Sequence, residues 1–143
     1  MRALSIRQPW AALILAGHKP TENRTWHTTY RGPLAIHAGQ RYDRNARHLA
    51  AEFGITTTPR GWLGTVELID VHHDRDCCRP WGEPDTWHWV MTNPQPFAAP
   101  IPGRGQLGLH QPPAHIAHHQ RTHTQQLTDS LIPLFDLTAN PDT

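Results

Sequence analysis

Apolar residues change their spacing several times along this 143-residue chain, and each change marks an element. Leu4–Ile6 is a short apolar run that predicts a first strand. Trp10, Leu13 and Ile14 then fall at helical spacing between Pro9 and Gly17, which predicts a helix over Pro9–Ala16. A proline suits the first helical position, where its missing N–H is not needed, and a glycine past the end takes the left-handed conformation freely. From Glu22 to Trp26 the chain reads with period two, so Glu22, Arg24 and Trp26 share one strand face and Asn23 and Thr25 the other. Tyr30–Pro33 reads as a turn before a buried strand at Leu34–His37. Asp43 is placed to cap a second helix that runs to Phe53 and stops at Gly54. Gly61–Val71 is the strongest strand, rich in β-branched and aromatic residues, and Trp87–Met91 is another. Pro94, Pro96, Pro100 and Pro102 confine 93–102 to an edge strand or an extended connection, and Gln106–His110 is placed to close the sheet. Short strands with turns between them and two early helices predict an α+β, mainly β fold, a small and partly open barrel.

Composition changes near Gln111, after which His115, His118, His119 and His123 crowd a polar stretch. The expected division is a barrel domain over 1–111 and a histidine-rich appendix over 112–143, mobile or holding one short amphipathic turn around Leu127–Phe135. Six tryptophans argue against disorder in the barrel part. No apolar run approaches the roughly 20 residues of a membrane-spanning helix. Arg7, Gln8 and Pro9 interrupt what would be the apolar core of a signal peptide, and a cytoplasmic protein is expected. Cys77 and Cys78 are adjacent, too close to pair comfortably with each other, which removes a disulfide framework.

A formal net charge of +1 makes no case for a nucleic-acid ligand by itself. The distribution does more: Arg2, Arg7, Lys19, Arg24 and Arg31 stand against Glu22 alone in the first quarter. Arg24 and Arg31 suit phosphate, because a guanidinium is always charged and forks onto two oxygens. Trp26 and Tyr30 offer faces on which a base can stack. Gln8 either caps the helix or reads a base edge through its amide. Lys19 lies within reach of Glu22, either as an ion pair at the barrel mouth with Arg24 bracing the turn, or as a catalytic pair. In the latter, Glu22 is the general base and Lys19 holds an oxygen. Thr21, beside Glu22, is a weak candidate nucleophile. Trp10 is assigned to the core, Glu67 to water and His37 to a satisfied core position.

The run SIRQPWAALILAG-K--ENRTW---YRGPLAIHAG resembles the ASCH domain, a family similar to the PUA-like β-barrels. The correspondences are Gln8-Pro9-Trp10 opening the helix, then Gly17, Lys19, Glu22 and Arg24, then the Arg31-Gly32 turn. Gly61–Val71, Trp87–Val90 and Gly103–Leu109 resemble the family's later strands, so that the likeness runs over about residues 3 to 110. His110 departs from it, standing where the family often has an aromatic residue. The resemblance implies a PUA-like barrel whose mouth, between Lys19 and Arg31, takes RNA, single-stranded nucleic acid or a modified nucleoside. It also implies an enzymatic alternative, a ribonuclease or an amidohydrolase of N4-acylated cytidine. A third reading makes the barrel a protein-interaction module.

No G-x-S-x-G elbow, P-loop or dinucleotide fingerprint is present, and no cofactor is expected, with a divalent metal left open for the hydrolytic alternative. His115, His119 and His123 recur every four residues, but no carboxylate or cysteine sits among them. The 72–78 run contains every ligand type that zinc takes, yet its crowding fits no usual spacing and it reads as a solvated loop. No metal ligands are therefore assigned.

Overall fold

Five strands in the order β1-β3-β4-β5-β2 make one sheet, bent into a half-barrel open along one seam. The computed structural model describes residues 1–119. The strands are β1 (Arg2–Ser5), β2 (Thr21–Arg24), β3 (Gly32–Ala38), β4 (Gly61–His73) and β5 (Trp87–Ile101). β1 lies parallel to β3, and the other pairings are antiparallel. Register shifts at Ile36/His37 and at three points of the β4–β5 ladder bend the sheet, as an extra residue on one strand does.

Helix α1 (Trp10–Leu15) begins one residue later than expected, with Pro9 at the cap and Gly17, at φ +85°, past the end. Its Ala11, Leu13, Ile14 and Leu15 are buried, and Ala11, Ile14 and Leu15 pack in one cluster with Leu34, Ile36, Val66, Leu68 and Trp89. Asp43 does cap, but a short 3-10 turn, Arg44–Ala46, comes before helix α2 (Arg47–Glu52). Its carboxylate accepts the Asn45 N–H at 3.1 Å.

The last strands agree with the sequence reading at the proline-rich edge and differ from it at Gly103–Leu109. β5 continues through the prolines to Ile101, ten residues past Met91. Beyond Val90 its ladder partner is β4 alone, so the prolines occupy an edge, where their missing N–H leaves nothing unpaired. The Gly103–Leu109 stretch is not a strand. Gly105 is held so close to Ser5 and His37 that a Cβ there would lie 2.1 Å from Ser5 Oγ, and only His110 pairs, in an isolated bridge to Ala3.

The described residues divide into two compact units, one through Pro112 and one from Pro113, the latter with a helical segment at 114–119. His123 and the turn expected around Leu127–Phe135 lie outside the described residues. No helix among the described residues is long and apolar enough to cross a membrane.

Candidate functional site

The open seam of the half-barrel carries the cleft. Edge strands β1 and β2 do not pair, and the Arg24 guanidinium spans them, donating to the Ser5 carbonyl at 2.9 Å. Gly17 turns the chain out of α1 so that the Lys19 N–H reaches the Leu13 carbonyl at 3.1 Å, which sets Lys19 just ahead of β2. Strand periodicity then places Glu22 and Arg24 together. Lys19 Nζ donates to Glu22 Oε1 at 3.2 Å and to the Thr21 carbonyl, and lies 5.4 Å from the centre of the Trp10 ring. Glu22 Oε1 also accepts the Asn23 N–H at 3.0 Å, and Oε2 accepts from Arg24 at 3.2 Å. Lys19 and Glu22 are 3 % and 7 % exposed. Burial alone would raise the Glu22 pKa, but Lys19, Arg24 and the Asn23 N–H outweigh it and hold the carboxyl below the usual glutamate range. Glu22 is an ionised brace between two cations.

Around this triad opens a cleft of about 1180 Å³. Its aromatic surfaces are Trp10, Trp26, Phe53 and Trp81. Six cations line it, Arg7, Lys19, Arg24, Arg41, Arg60 and Arg104, against the carboxylates of Glu22, Glu52 and Glu83. Arg7, Arg41, Arg60 and Arg104 are exposed and make no ion pair among the described residues. Arg24 Nε is buried with no hydrogen-bond partner, an unmet donor on a residue of the cleft wall.

The cleft gathers Lys19, Glu22, Arg24 and Trp26 from the residues singled out in the sequence, and leaves four of them elsewhere. Gln8 is 2 % exposed, its Oε1 accepting the Ala12 N–H at 2.9 Å and its Nε2 donating to the Pro59 carbonyl at 3.0 Å. It caps α1, and both ends of its amide are engaged within the chain. Thr21 is buried outside the cleft wall. Tyr30 donates its hydroxyl to the Pro33 carbonyl at 2.6 Å, and Arg31 binds the Thr28 and Tyr30 carbonyls at 2.9 and 2.8 Å; both brace the turn before β3, away from the cleft. Trp10, assigned to the core, is a half-buried cleft residue whose indole N–H donates to Asp43 at 3.2 Å. Glu67 is half-buried and not at the cleft. His37 is satisfied, by Ser5 Oγ at 3.1 Å and the Gly103 carbonyl at 2.9 Å.

Phe53, Trp81, Arg41, Arg60 and Arg104 were missed because they come from separate segments, which no local spacing connects, while Arg7 was counted only in the basic surplus of the first quarter. The 72–78 run is not simply solvated either. His72, Cys77 and Cys78 are half-buried and meet the fully buried His88.

Comparison with known proteins sets this geometry in context. The model of the ASCH domain matches residues 4–100. Activating signal cointegrator 1 of Mus musculus is 29% identical over 119 residues, covering 71% of this chain and 20% of the relative. Its Homo sapiens counterpart is 51% identical over 35 residues, 24% of this chain and 6% of the relative. The chain thus spans about a fifth or less of the length of these relatives. Among solved structures, a tyrosine-to-phenylalanine variant of ZmASCH from Zymomonas mobilis superposes with a TM-score of 0.50 at 14% identity, covering 90% of this chain and 96% of that one. At that identity the likeness concerns the fold.

Proposed function

The chain belongs to the ASCH domain family, and on that footing we propose that its cleft binds single-stranded nucleic acid, RNA in the first instance. The observation that carries the reading is the set of four rim arginines without ion pairs around an aromatic-lined cleft. Guanidinium groups suit phosphate oxygens, and aromatic faces take bases of any sequence. The cleft exceeds the roughly 300–1,000 Å³ of pockets that enclose one small ligand, which favours a strand over a lone nucleoside. The test is fluorescence anisotropy with labelled single-stranded RNA across a salt series. Arg41→Ala, Arg60→Ala and Arg104→Ala should each weaken binding by roughly tenfold, the loss of one charge-assisted contact. Each should also flatten the log–log salt slope by about 0.7, the counterion release of one phosphate contact on a single strand. Salt-independent binding, or affinity unchanged in all three variants, would refute the reading.

A hydrolase acting on RNA or on an N4-acylated cytidine is the second reading, favoured by the juxtaposition of Lys19 and Glu22 at the cleft. The lowered Glu22 pKa weighs against it, since a general base works best with a pKa near the operating pH. Incubation with RNA and with N4-acetylcytidine, with and without Mn²⁺, separates the two. Turnover abolished by Glu22→Gln makes this an enzyme, and retarded but intact RNA makes it a binder.

A further inference from the structure

We propose that His72, Cys77, Cys78 and His88 form a four-ligand zinc site that pins the loop between β4 and β5. The histidines face each other across the β4–β5 ladder as register partners, and the cysteines come from the loop joining those strands. One donor atom from each residue lies within 4.8 Å of all the others. The two sulfurs are 3.5 Å apart, His72 Nε2 is 3.2 and 3.6 Å from them, and His88 Nδ1 is 3.7 Å from Cys77 Sγ. A tetrahedron with zinc–sulfur bonds of about 2.3 Å and zinc–nitrogen bonds of about 2.0–2.1 Å has edges of roughly 3.3–3.8 Å. Three of the six donor–donor distances, 3.5, 3.6 and 3.7 Å, fall in that range, a fourth at 3.2 Å lies just under it, and the other two are within 4.8 Å.

The outer ring nitrogens are engaged elsewhere, which turns the inner ones toward the sulfurs. His72 Nδ1 is 2.7 Å from Asp70 Oδ2, and His88 Nε2 is 2.8 Å from the Glu83 carbonyl. The ionised carboxylate and the carbonyl can only accept, so those outer nitrogens carry the hydrogens. With its proton on the outer nitrogen, an uncharged imidazole at either position offers the inner nitrogen's lone pair toward the sulfurs. A carboxylate or carbonyl behind each histidine is the usual support of a metal-bound imidazole. On binding, both thiol protons pass to solvent, and two thiolates balance the dication.

The loop itself is shaped around this point. Asp76, Cys78 and Asp85 all hold positive φ, at 56°, 65° and 54°, a conformation that costs non-glycine residues and persists only where the surroundings enforce it. Gly82 passes so close that a Cβ there would lie 2.7 Å from His88 Cε1 and 2.8 Å from Cys78 Cβ. The same loop supplies Trp81 and Glu83 to the cleft, so the ion would fix one wall of it. The inference does not depend on what the cleft binds.

Cobalt(II) titration of the full chain under a non-chelating reductant tests it. The expected result is one ion per chain with a thiolate-to-cobalt charge-transfer band and intense tetrahedral d–d bands, both displaced by zinc. Cys77→Ser and Cys78→Ser should each weaken the charge-transfer band, and His115→Ala/His118→Ala/His119→Ala should leave the spectrum intact. A folded, reduced wild-type chain that shows no charge-transfer band would overturn the proposal, whatever the variants do. So would a spectrum that follows the tail histidines and ignores the cysteines.

Discussion

Glu22 is the residue on which most of the cleft geometry turns, since it holds both Lys19 and Arg24. Glu22→Gln keeps the shape and removes the charge, leaving two cations at a buried position without their counter-ion. A loss of about 1.5–3 kcal/mol at pH 7 is expected, the range for hydrogen bonds to charged groups. Because the folded-state pKa is depressed below the unfolded value, the stabilisation from ionised Glu22 is complete above the unfolded value and is lost as pH falls through the folded one. Urea unfolding of both proteins from pH 7 downward should show a constant stability gap to about pH 5 that closes below about 4.5. Asp70 and Asp74 also titrate low, but they are present in both proteins and cancel in the difference. A gap already closing above pH 5, or one widening in acid, would contradict the ion-pair account. Trp10 carries a related lesson at the same scale. Helical spacing marked it as apolar and hence core, yet its ring lies near Lys19 and its N–H reaches Asp43, because an indole has both an apolar body and a polar edge.

At the scale of the element, the pairing of β4 with β5 leaves room for little at Gly64. A Cβ there would lie 2.5 Å from the Gln95 carbonyl oxygen, 2.8 Å from Pro96 Cα and 3.0 Å from Leu15 Cδ2. Two of these are backbone atoms, so the strand itself must move. Gly64→Ala should destabilise by about 1–3 kcal/mol, the usual cost of overpacking, and should broaden the Gln95 and Phe97 amide resonances. An unchanged urea midpoint would show that β5 yields freely there. The same elements explain what could be read from sequence. The α1 stop at Gly17 and the strand at Gly61–Val71 were legible, because caps and β-branched runs are local signals. That 93–102 continues the Trp87–Met91 strand was not, since prolines leave an edge strand and an extended connection equally open until the sheet order is known. Lys19, Glu22 and Arg24 were legible as a unit because the strand repeat puts neighbours on one face. Arg41, Arg60, Arg104 and Trp81 were invisible as cleft residues, for only the fold brings them together. The pairing of His72 with His88 is of that kind too, set by a hairpin register that spacing does not disclose.

For the molecule as a whole, a net charge of +1 conceals a cleft lined by six cations and three carboxylates, which is why bulk charge said so little about it. The clustered apolar residues of the sheet and α1 all lie before the boundary at Pro112, as do the five strands, although Ile116 beyond it is also fully buried. His110 is needed inside that boundary, because its backbone bridges Ala3 through N···O contacts of 2.6 and 3.1 Å. A chain ending at Pro112 should therefore fold and melt cooperatively, while one ending before His110 should lose stability by uncovering the β1 edge. Tryptophan fluorescence reports on this unit alone, since Trp10, Trp26, Trp62, Trp81, Trp87 and Trp89 all precede Pro112. Coincident fluorescence and far-ultraviolet melts in the shortened chain would establish the barrel as autonomous. A broad, non-coincident transition would instead make the histidine-rich segment part of the folding unit, and the domain boundary would have to move beyond it.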